Sequence, residues 1–316
     1  MLNLFEFDNH VIDTSEFDHF LHGQIVKDFE QEICEYVGAK YAASFFSASY
    51  ALYSIMNSKV IQTPESISIP SMIPAVVPNL LADAGKKIKF TSDVDWVGNS
   101  YILTDGIVDS AQRLDRNQFA NECEPDDLMV FSMYPTKPLP SLDGGIVVSN
   151  NKEKINDLKS LSFYGMEYAE DSWSRVQKQV GFKAYMSTMQ ATIASRNLKN
   201  LDSRYERIDE IRDKYNSEFG LENISRHLYR IHVENNVEAI PYFKEKGIVT
   251  GIHYTPQHLN PVFGEYNDLH EEFFFHEMVT IPSRTTLSIP LHDKLTDEQV
   301  QYIMKTVKES ECLIKL

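Results

Sequence analysis

The chain has 316 residues, of which 42% are apolar and 24% are charged, and its formal net charge is −16. This composition is typical of an ordinary globular protein, and the length suffices for one large domain and a smaller one. The excess of acidic residues argues against non-specific binding to nucleic acid or to anionic membranes, although it leaves room for a local basic pocket that binds a phosphate.

The three cysteines, Cys34, Cys123 and Cys312, are odd in number and far apart. They therefore predict neither a disulfide framework nor a metal cluster, and they fit a reducing cytoplasm. The first residues lack a basic segment followed by an apolar one, so we expect no signal peptide. No segment approaches ~20 uninterrupted apolar residues, so we expect no membrane span.

Helices and strands alternate along the first part of the chain. Apolar residues at helical spacing begin at Gln24, and Gly38 is suited to end that helix in a left-handed conformation. The next strand leads into a helix that opens with Ser47, Ala48 and Ser49. The predicted helices are 24–37, 47–57, 75–84 and 152–162, and the predicted strands are 40–46, 66–69, 88–90, 101–103, 106–109, 128–131 and 146–148.

The longest helical pattern covers residues 187–219 and carries an ion-paired, exposed face. After it we predict strands at 228–233, 248–254 and 286–289, and helices at 237–246, 271–278 and 296–309. The last helix opens with a capping box from Thr296 to Gln299. The pattern predicts an α/β protein with an N-terminal arm (1–22), a large domain (23–215) and a small C-terminal domain (216–316).

Polar side chains follow several predicted strands at the point where each strand ends; they are Asp109, Gln112, Ser132 and Lys137. Each alone is more often a turn or cap residue, but ligands of open α/β sheets bind at the carboxyl ends of the strands. A lysine between buried strands is unusual, because lysine is rare in interiors unless its amine is needed. The helix that starts after a strand at Ala48 and Ser49 could bind an anion through its free N–H groups.

Six segments in this order match the motifs of one enzyme family. They are GQIVKDFEQEICEYVGAKYA, SASYAL, DSAQ, FSMYPTKPLPSLDGG, MSTMQA and GIHYTPQHLNPVF. Over about residues 23–308 the chain resembles the DegT/StrS family of pyridoxal-phosphate (PLP) sugar aminotransferases. The resemblance implies the aspartate-aminotransferase-like fold (fold type I), with a large PLP-binding domain around a mostly parallel central sheet flanked by helices, and a smaller α+β domain.

The resemblance also implies roles for single residues. Lys137 would hold PLP through a Schiff base and then serve as the base that moves a proton between substrate and cofactor. Asp109 would pair with the pyridine nitrogen and keep it protonated. Gln112 would lie near the phenolic oxygen of the cofactor.

Other residues would bind the phosphate of the cofactor and the substrate. By the same resemblance, the phosphate would be bound by Ser132 together with Ala48 and Ser49. Lys183 would replace an asparagine that reaches the phosphate of the neighbouring subunit, so we expect a homodimer with shared sites. The substrate side would carry Tyr254 and His258, for which ordinary loop packing is an equally good interpretation.

Besides Lys183, the chain departs from the family pattern at several other positions. Ala48 stands where the family has glycine, which requires a backbone without positive φ. Met72, Ile73 and Pro74 stand where the family stacks an aromatic ring on the cofactor. The segment between Phe90 and Asp109 is much shorter than the usual one and lacks a helix–strand unit, so the chain resembles a shortened member.

The resemblance implies an aminotransferase that uses PLP and its amine form, PMP. The donor would be an amino acid, glutamate or glutamine, and the acceptor a keto group of a nucleotide-linked deoxysugar. One alternative is other PLP chemistry on the same fold, such as the dehydratases in which histidine replaces the lysine; Lys137 argues against that version. The other alternative is a degenerate, non-catalytic regulatory relative.

Overall fold

The computed structural model of the chain describes residues 1–167, 169, 171–264 and 273–310. The helices are α1 (Gln24–Val37), α2 (Ala48–Asn57), α3 (Val76–Asp83), α4 (Gln118–Glu122), α5 (Lys152–Ser162), α6 (Thr188–Lys199), α7 (Leu201–Phe219), α8 (Asn236–Glu245), α9 (Phe273–Thr285) and α10 (Asp297–Glu309). The strands are β1 (Tyr41–Phe45), β2 (Ser66–Pro70), β3 (Lys87–Thr91), β4 (Tyr101–Thr104), β5 (Ile107–Asp109), β6 (Leu128–Ser132), β7 (Gly145–Ser149), β8 (Tyr229–His232) and β9 (Thr286–Ile289). Among these helices, none has the length and apolar character needed to cross a membrane.

The central sheet has five strands in the order β1-β7-β6-β5-β4. Only β5 and β6 pair in parallel; the other three pairs are antiparallel. The expected α/β architecture is therefore present, but the sheet is mixed rather than mostly parallel. The reversal of β4 has a simple cause. Only Asp105 and Gly106 connect β4 to β5, whereas a parallel pair needs a crossover of a dozen or more residues.

The sheet is buried on both faces, as the alternation along β6 shows. Met129 and Phe131 pack in one core with residues of α1 and α6. Leu128 and Val130 point the other way and pack in a second core with residues of α2 and α5. Because successive side chains of a strand point to opposite faces, this arrangement leaves the strand ends as the place where the sheet meets a ligand.

Three predicted elements differ from the structure. The helix expected over 187–219 is two helices, α6 and α7, which meet at Asn200 with non-helical backbone angles (φ −103°, ψ 1°). The strand expected over 248–254 forms only isolated bridges, at Ile248 to Leu2 of the arm and at Gly251 to Ser288. The helix expected over 271–278 begins partly outside the described residues, which show α9 from Phe273.

The start of α2 lies against the start of β7. Ser47 caps the helix, its Oγ accepting a hydrogen bond from the N–H of Tyr50 at 3.4 Å. Ala48 is the first helical residue, so alanine at this position needs no positive φ. A Cβ atom at Gly145 would overlap the Cα and N atoms of Ala48. Glycine at 145 therefore lets β7 pass directly under the helix N-terminus.

We predict that Gly145→Ala destabilises the protein by roughly 2–3 kcal/mol, because α2 must move to admit the methyl group. Gly85→Ala is the matched control: a Cβ there meets nothing within 4 Å, and only its positive φ of 73° is strained, at a cost of about 1 kcal/mol. Urea unfolding of both variants and the wild type measures the difference. Equal losses would show that the contact between β7 and α2 is not tight.

Candidate active site

Asp109, the last residue of β5, is 3% exposed. Its Oδ2 accepts a hydrogen bond from the hydroxyl of Tyr101 at 2.8 Å, and its Oδ1 accepts one from the N–H of Ala111 at 2.9 Å. Burial raises the pKa of Asp109, and these two hydrogen bonds and the positive charge of Lys137 oppose that rise. The carboxylate is therefore held in one orientation by two donors.

Lys137 lies in the loop between β6 and β7, half-buried beside the buried Pro138. Burial lowers the pKa of Lys137 to about 8, and the negative charge of Asp109 opposes this shift. The two groups thus share one site and influence each other's charge. An amine with such a pKa is partly neutral in mildly alkaline solution, as a nucleophilic lysine must be.

Gln112 joins two parts of the site. Its Oε1 accepts a hydrogen bond from the N–H of Gly98 at 2.7 Å, and its Nε2 donates to the hydroxyl of Tyr254 at 2.9 Å. Burial, and after it the charge of Asp109, raise the pKa of Tyr254. The structure therefore brings together four of the residues chosen from the sequence, namely Asp109, Gln112, Lys137 and Tyr254.

The expected phosphate end is contiguous with these residues. Ser132 ends β6, and its Oγ accepts a hydrogen bond from the N–H of Tyr134 at 3.3 Å. Ser132 pairs with Gly145 in the sheet, and Gly145 lies directly under Ala48. A hydroxyl group and a helix N-terminus, where Ser49 follows Ala48, therefore meet at one edge of the sheet, as an anion site requires.

The remaining two candidates make other contacts. His258 sits beyond the end of β2, with its Nδ1 2.6 Å from the Oγ of Ser71. Lys183 is exposed, and its backbone bridges to Phe163. Both stay predictions, His258 for substrate binding and Lys183 for the phosphate of a neighbouring subunit.

Aromatic residues that the sequence did not single out surround the site. The indole N–H of Trp96 donates to the carbonyl of Met72 at 3.1 Å, and its ring meets the ring of Tyr101 edge-on with centroids 4.8 Å apart. The other ring beside Trp96 is that of Tyr254, nearly parallel at 6.3 Å. The sequence signal for these residues is that Trp96 and Tyr101 lie on either side of Gly98 in the shortened segment.

Two histidines also adjoin Lys137. Burial, followed by the charge of Lys137, lowers the pKa of His227 well below its ordinary value and that of His253 to about 4. Both imidazoles are thus neutral at physiological pH and add no positive charge beside the amine. Phe5 of the N-terminal arm stacks on His227 with ring centroids 5.4 Å apart, so the arm reaches the site.

A sequence model of the DegT/DnrJ/EryC1/StrS aminotransferase family matches residues 5–95 and 107–308. The chain belongs to this family. The resemblance to this family and the prediction that the protein is an aminotransferase are therefore confirmed. The match is interrupted at residues 96–106, within the segment that the sequence indicated to be short.

Curated relatives and solved structures agree with this assignment. A transaminase of UDP-4-amino-4,6-dideoxy-N-acetyl-beta-L-altrosamine from Campylobacter jejuni is 24% identical over 345 residues, which cover 90% of this chain and 89% of that protein. TlmJ of Streptoalloteichus hindustanus matches with a TM-score of 0.80 at 18% identity, over 98% of this chain and 99% of its own. Helicobacter pylori PseC, an aminotransferase involved in the biosynthesis of pseudoaminic acid, matches with a TM-score of 0.79 at 17% identity, over 97% and 98%. The expected fold type I is confirmed.

Aminotransferases of this family depend on PLP, so the predicted cofactor is also confirmed at the level of the family. One further structural relative, the aminotransferase Spr1654 of Streptococcus pneumoniae, is known in its PMP and PLP forms. The residues present here fit the cofactor. They include a buried carboxylate for the ring nitrogen, an amine that loses its proton readily, and a helix N-terminus with a nearby hydroxyl group for the phosphate.

We predict that the Lys137 amine of the cofactor-free protein titrates near pH 8. Asp109→Asn should lower this midpoint further, because the Asp109 charge is what opposes the effect of burial. The pH profile of acetylation at Lys137, followed by peptide mass spectrometry, measures both values. A wild-type midpoint close to that of exposed lysines, about 10.4, would contradict the burial of the amine.

Proposed function

We propose that this protein transfers an amino group from an amino acid, glutamate or glutamine, to a keto group of a nucleotide-linked deoxysugar. The observation that carries the proposal is the buried carboxylate of Asp109, which lies within the electrostatic influence of Lys137, a lysine of lowered pKa, in a chain of an aminotransferase family. The choice of acceptor rests on relatives from Campylobacter jejuni and Helicobacter pylori that are transaminases of a UDP-linked amino-dideoxy sugar.

The proposal gives each residue of the cluster a task. PLP, when bound, supplies an electron sink for the substrate carbon. The Nζ of Lys137 would bind its aldehyde carbon and, once released, would move a proton between the substrate and the cofactor. The carboxylate of Asp109 would hold the proton on the ring nitrogen, and Gln112 would face the phenolic oxygen.

The phosphate and substrate contacts complete the proposed site. The hydroxyl of Ser132 and the N–H groups of Ala48 and Ser49 would bind the phosphate. On the substrate side we place Tyr254 and His258. The proposal also includes a homodimer in which Lys183 approaches the phosphate of the neighbouring subunit, and a cytoplasmic location, which rests on the use of cysteine.

We predict that the protein with PLP turns yellow, that L-glutamate or L-glutamine bleaches it, and that a UDP-linked 4-keto-6-deoxysugar restores the colour. Lys137→Ala should abolish the yellow band, because the amine that binds the aldehyde carbon is gone. Lys87→Ala is the matched control, since Lys87 is an exposed lysine paired with Glu65. Absorbance spectroscopy and a panel of nucleotide-linked ketosugars give both readouts.

The outcomes separate the alternatives. Colour that no amino acid bleaches would indicate other PLP chemistry on this fold. A protein that binds no PLP would indicate a non-catalytic relative. An unchanged spectrum of Lys137→Ala would show that the site has been assigned to the wrong lysine.

A further inference from the structure

The shortened segment contributes a residue of its own to the site. Tyr101 and Asp109 are opposite each other in the β4–β5 pair, and the Tyr101 hydroxyl donates to Asp109 Oδ2 at 2.8 Å. We propose that Tyr101 is a positioning residue that fixes the Asp109 carboxylate for the ring nitrogen of the cofactor. The inference rests on the proposed function, because it requires PLP to bind at this site.

Tyr101 belongs to this chain rather than to the family pattern. It lies at 96–106, the stretch to which the family model has no match. The two-residue connection at Asp105 and Gly106 reverses β4, and this reversal aligns Tyr101 with Asp109. The short connection thus places an aromatic hydroxyl next to the carboxylate.

The surroundings of Tyr101 hold its hydroxyl in place. The residue is buried at 8% exposure, and the ring of Trp96 packs edge-on against it. Trp96 is in turn fixed by its hydrogen bond to the carbonyl of Met72. A tyrosine confined in this way loses little entropy when it donates a hydrogen bond, because its ring is already ordered.

The carboxylate keeps room for the cofactor. An ionised carboxylate offers about four acceptor positions. In Asp109 each oxygen accepts one hydrogen bond, Oδ2 from the hydroxyl of Tyr101 and Oδ1 from the N–H of Ala111. Hydrogen bonds to the charged form stabilise that form. Tyr101 therefore helps to keep Asp109 ionised despite its burial, and an ionised Asp109 is what keeps a ring nitrogen protonated.

The test compares two cofactors in Tyr101→Phe. PLP itself should bind up to roughly tenfold more weakly, because a carboxylate without the Tyr101 hydrogen bond is less readily ionised and less firmly oriented toward the ring nitrogen. The PLP analogue whose ring nitrogen is replaced by carbon should bind equally to wild type and variant. Spectroscopic titration measures both affinities. Tyr215→Phe is the matched control, because it removes a hydroxyl that donates from another buried tyrosine to the carbonyl of Pro290.

Two results would overturn the inference alone. The first is an unchanged PLP affinity in Tyr101→Phe. The second is an equal loss of affinity for PLP and for the analogue, which would indicate a packing defect.

If wild type binds no PLP, the proposed function fails and the inference fails with it. If Tyr101→Phe does not fold, 3-fluorotyrosine incorporated at position 101 provides the test. Its more acidic hydroxyl should tighten PLP binding, and unchanged or weaker binding would overturn the inference.

Discussion

The site depends on two opposite charges that are buried within each other's influence. Removal from water favours the neutral forms of both Asp109 and Lys137, and their mutual attraction favours the charged forms. Burial of the amine and its attraction to Asp109 together leave the pKa of Lys137 near 8. The backbone N–H of Ala111 and the hydroxyl of Tyr101 support the carboxylate. This balance gives a carboxylate and an amine of lowered pKa within each other's electrostatic influence, and we propose that the two serve the cofactor.

The fold supplies this balance through the ends of neighbouring strands. Asp109 ends β5, and Ser132 ends its parallel neighbour β6, so both reach the same edge of the sheet. Gly145 brings the N-terminus of α2 to that edge because it has no side chain to separate the two backbones. The site is thus assembled from backbone geometry first, and the side chains complete it.

Much of this could be predicted from the sequence. The periodicity located α1 and α5 closely, and the order of the motifs selected Asp109, Gln112, Lys137 and Tyr254, which the structure brings together. The helix positions and the convergence of these four residues could be predicted because helix faces and strand-end residues are local features of the chain; the roles of the residues stay predictions.

The errors concern how segments of the chain pair with one another. The direction of β4 depends on a connection of two residues, and an apolar run has no direction of its own. The alternating pattern of 248–254 resembles a strand, but its neighbours are single residues, Leu2 and Ser288, rather than a full strand. The sequence did not indicate Tyr101, because its hydroxyl reaches Asp109 only when β4 runs antiparallel to β5.

In the proposed site, Asp109 faces the ring nitrogen of a cofactor bound to Lys137. The most direct measurement is the ¹⁵N chemical shift of PLP labelled at its ring nitrogen and bound to the protein. We predict the shift of a protonated nitrogen from about pH 6 to about pH 9 in wild type, because an ionised carboxylate stabilises that proton, and the shift of an unprotonated nitrogen in Asp109→Asn. A wild-type nitrogen that is unprotonated throughout, or one that Asp109→Asn leaves unchanged, would contradict the account.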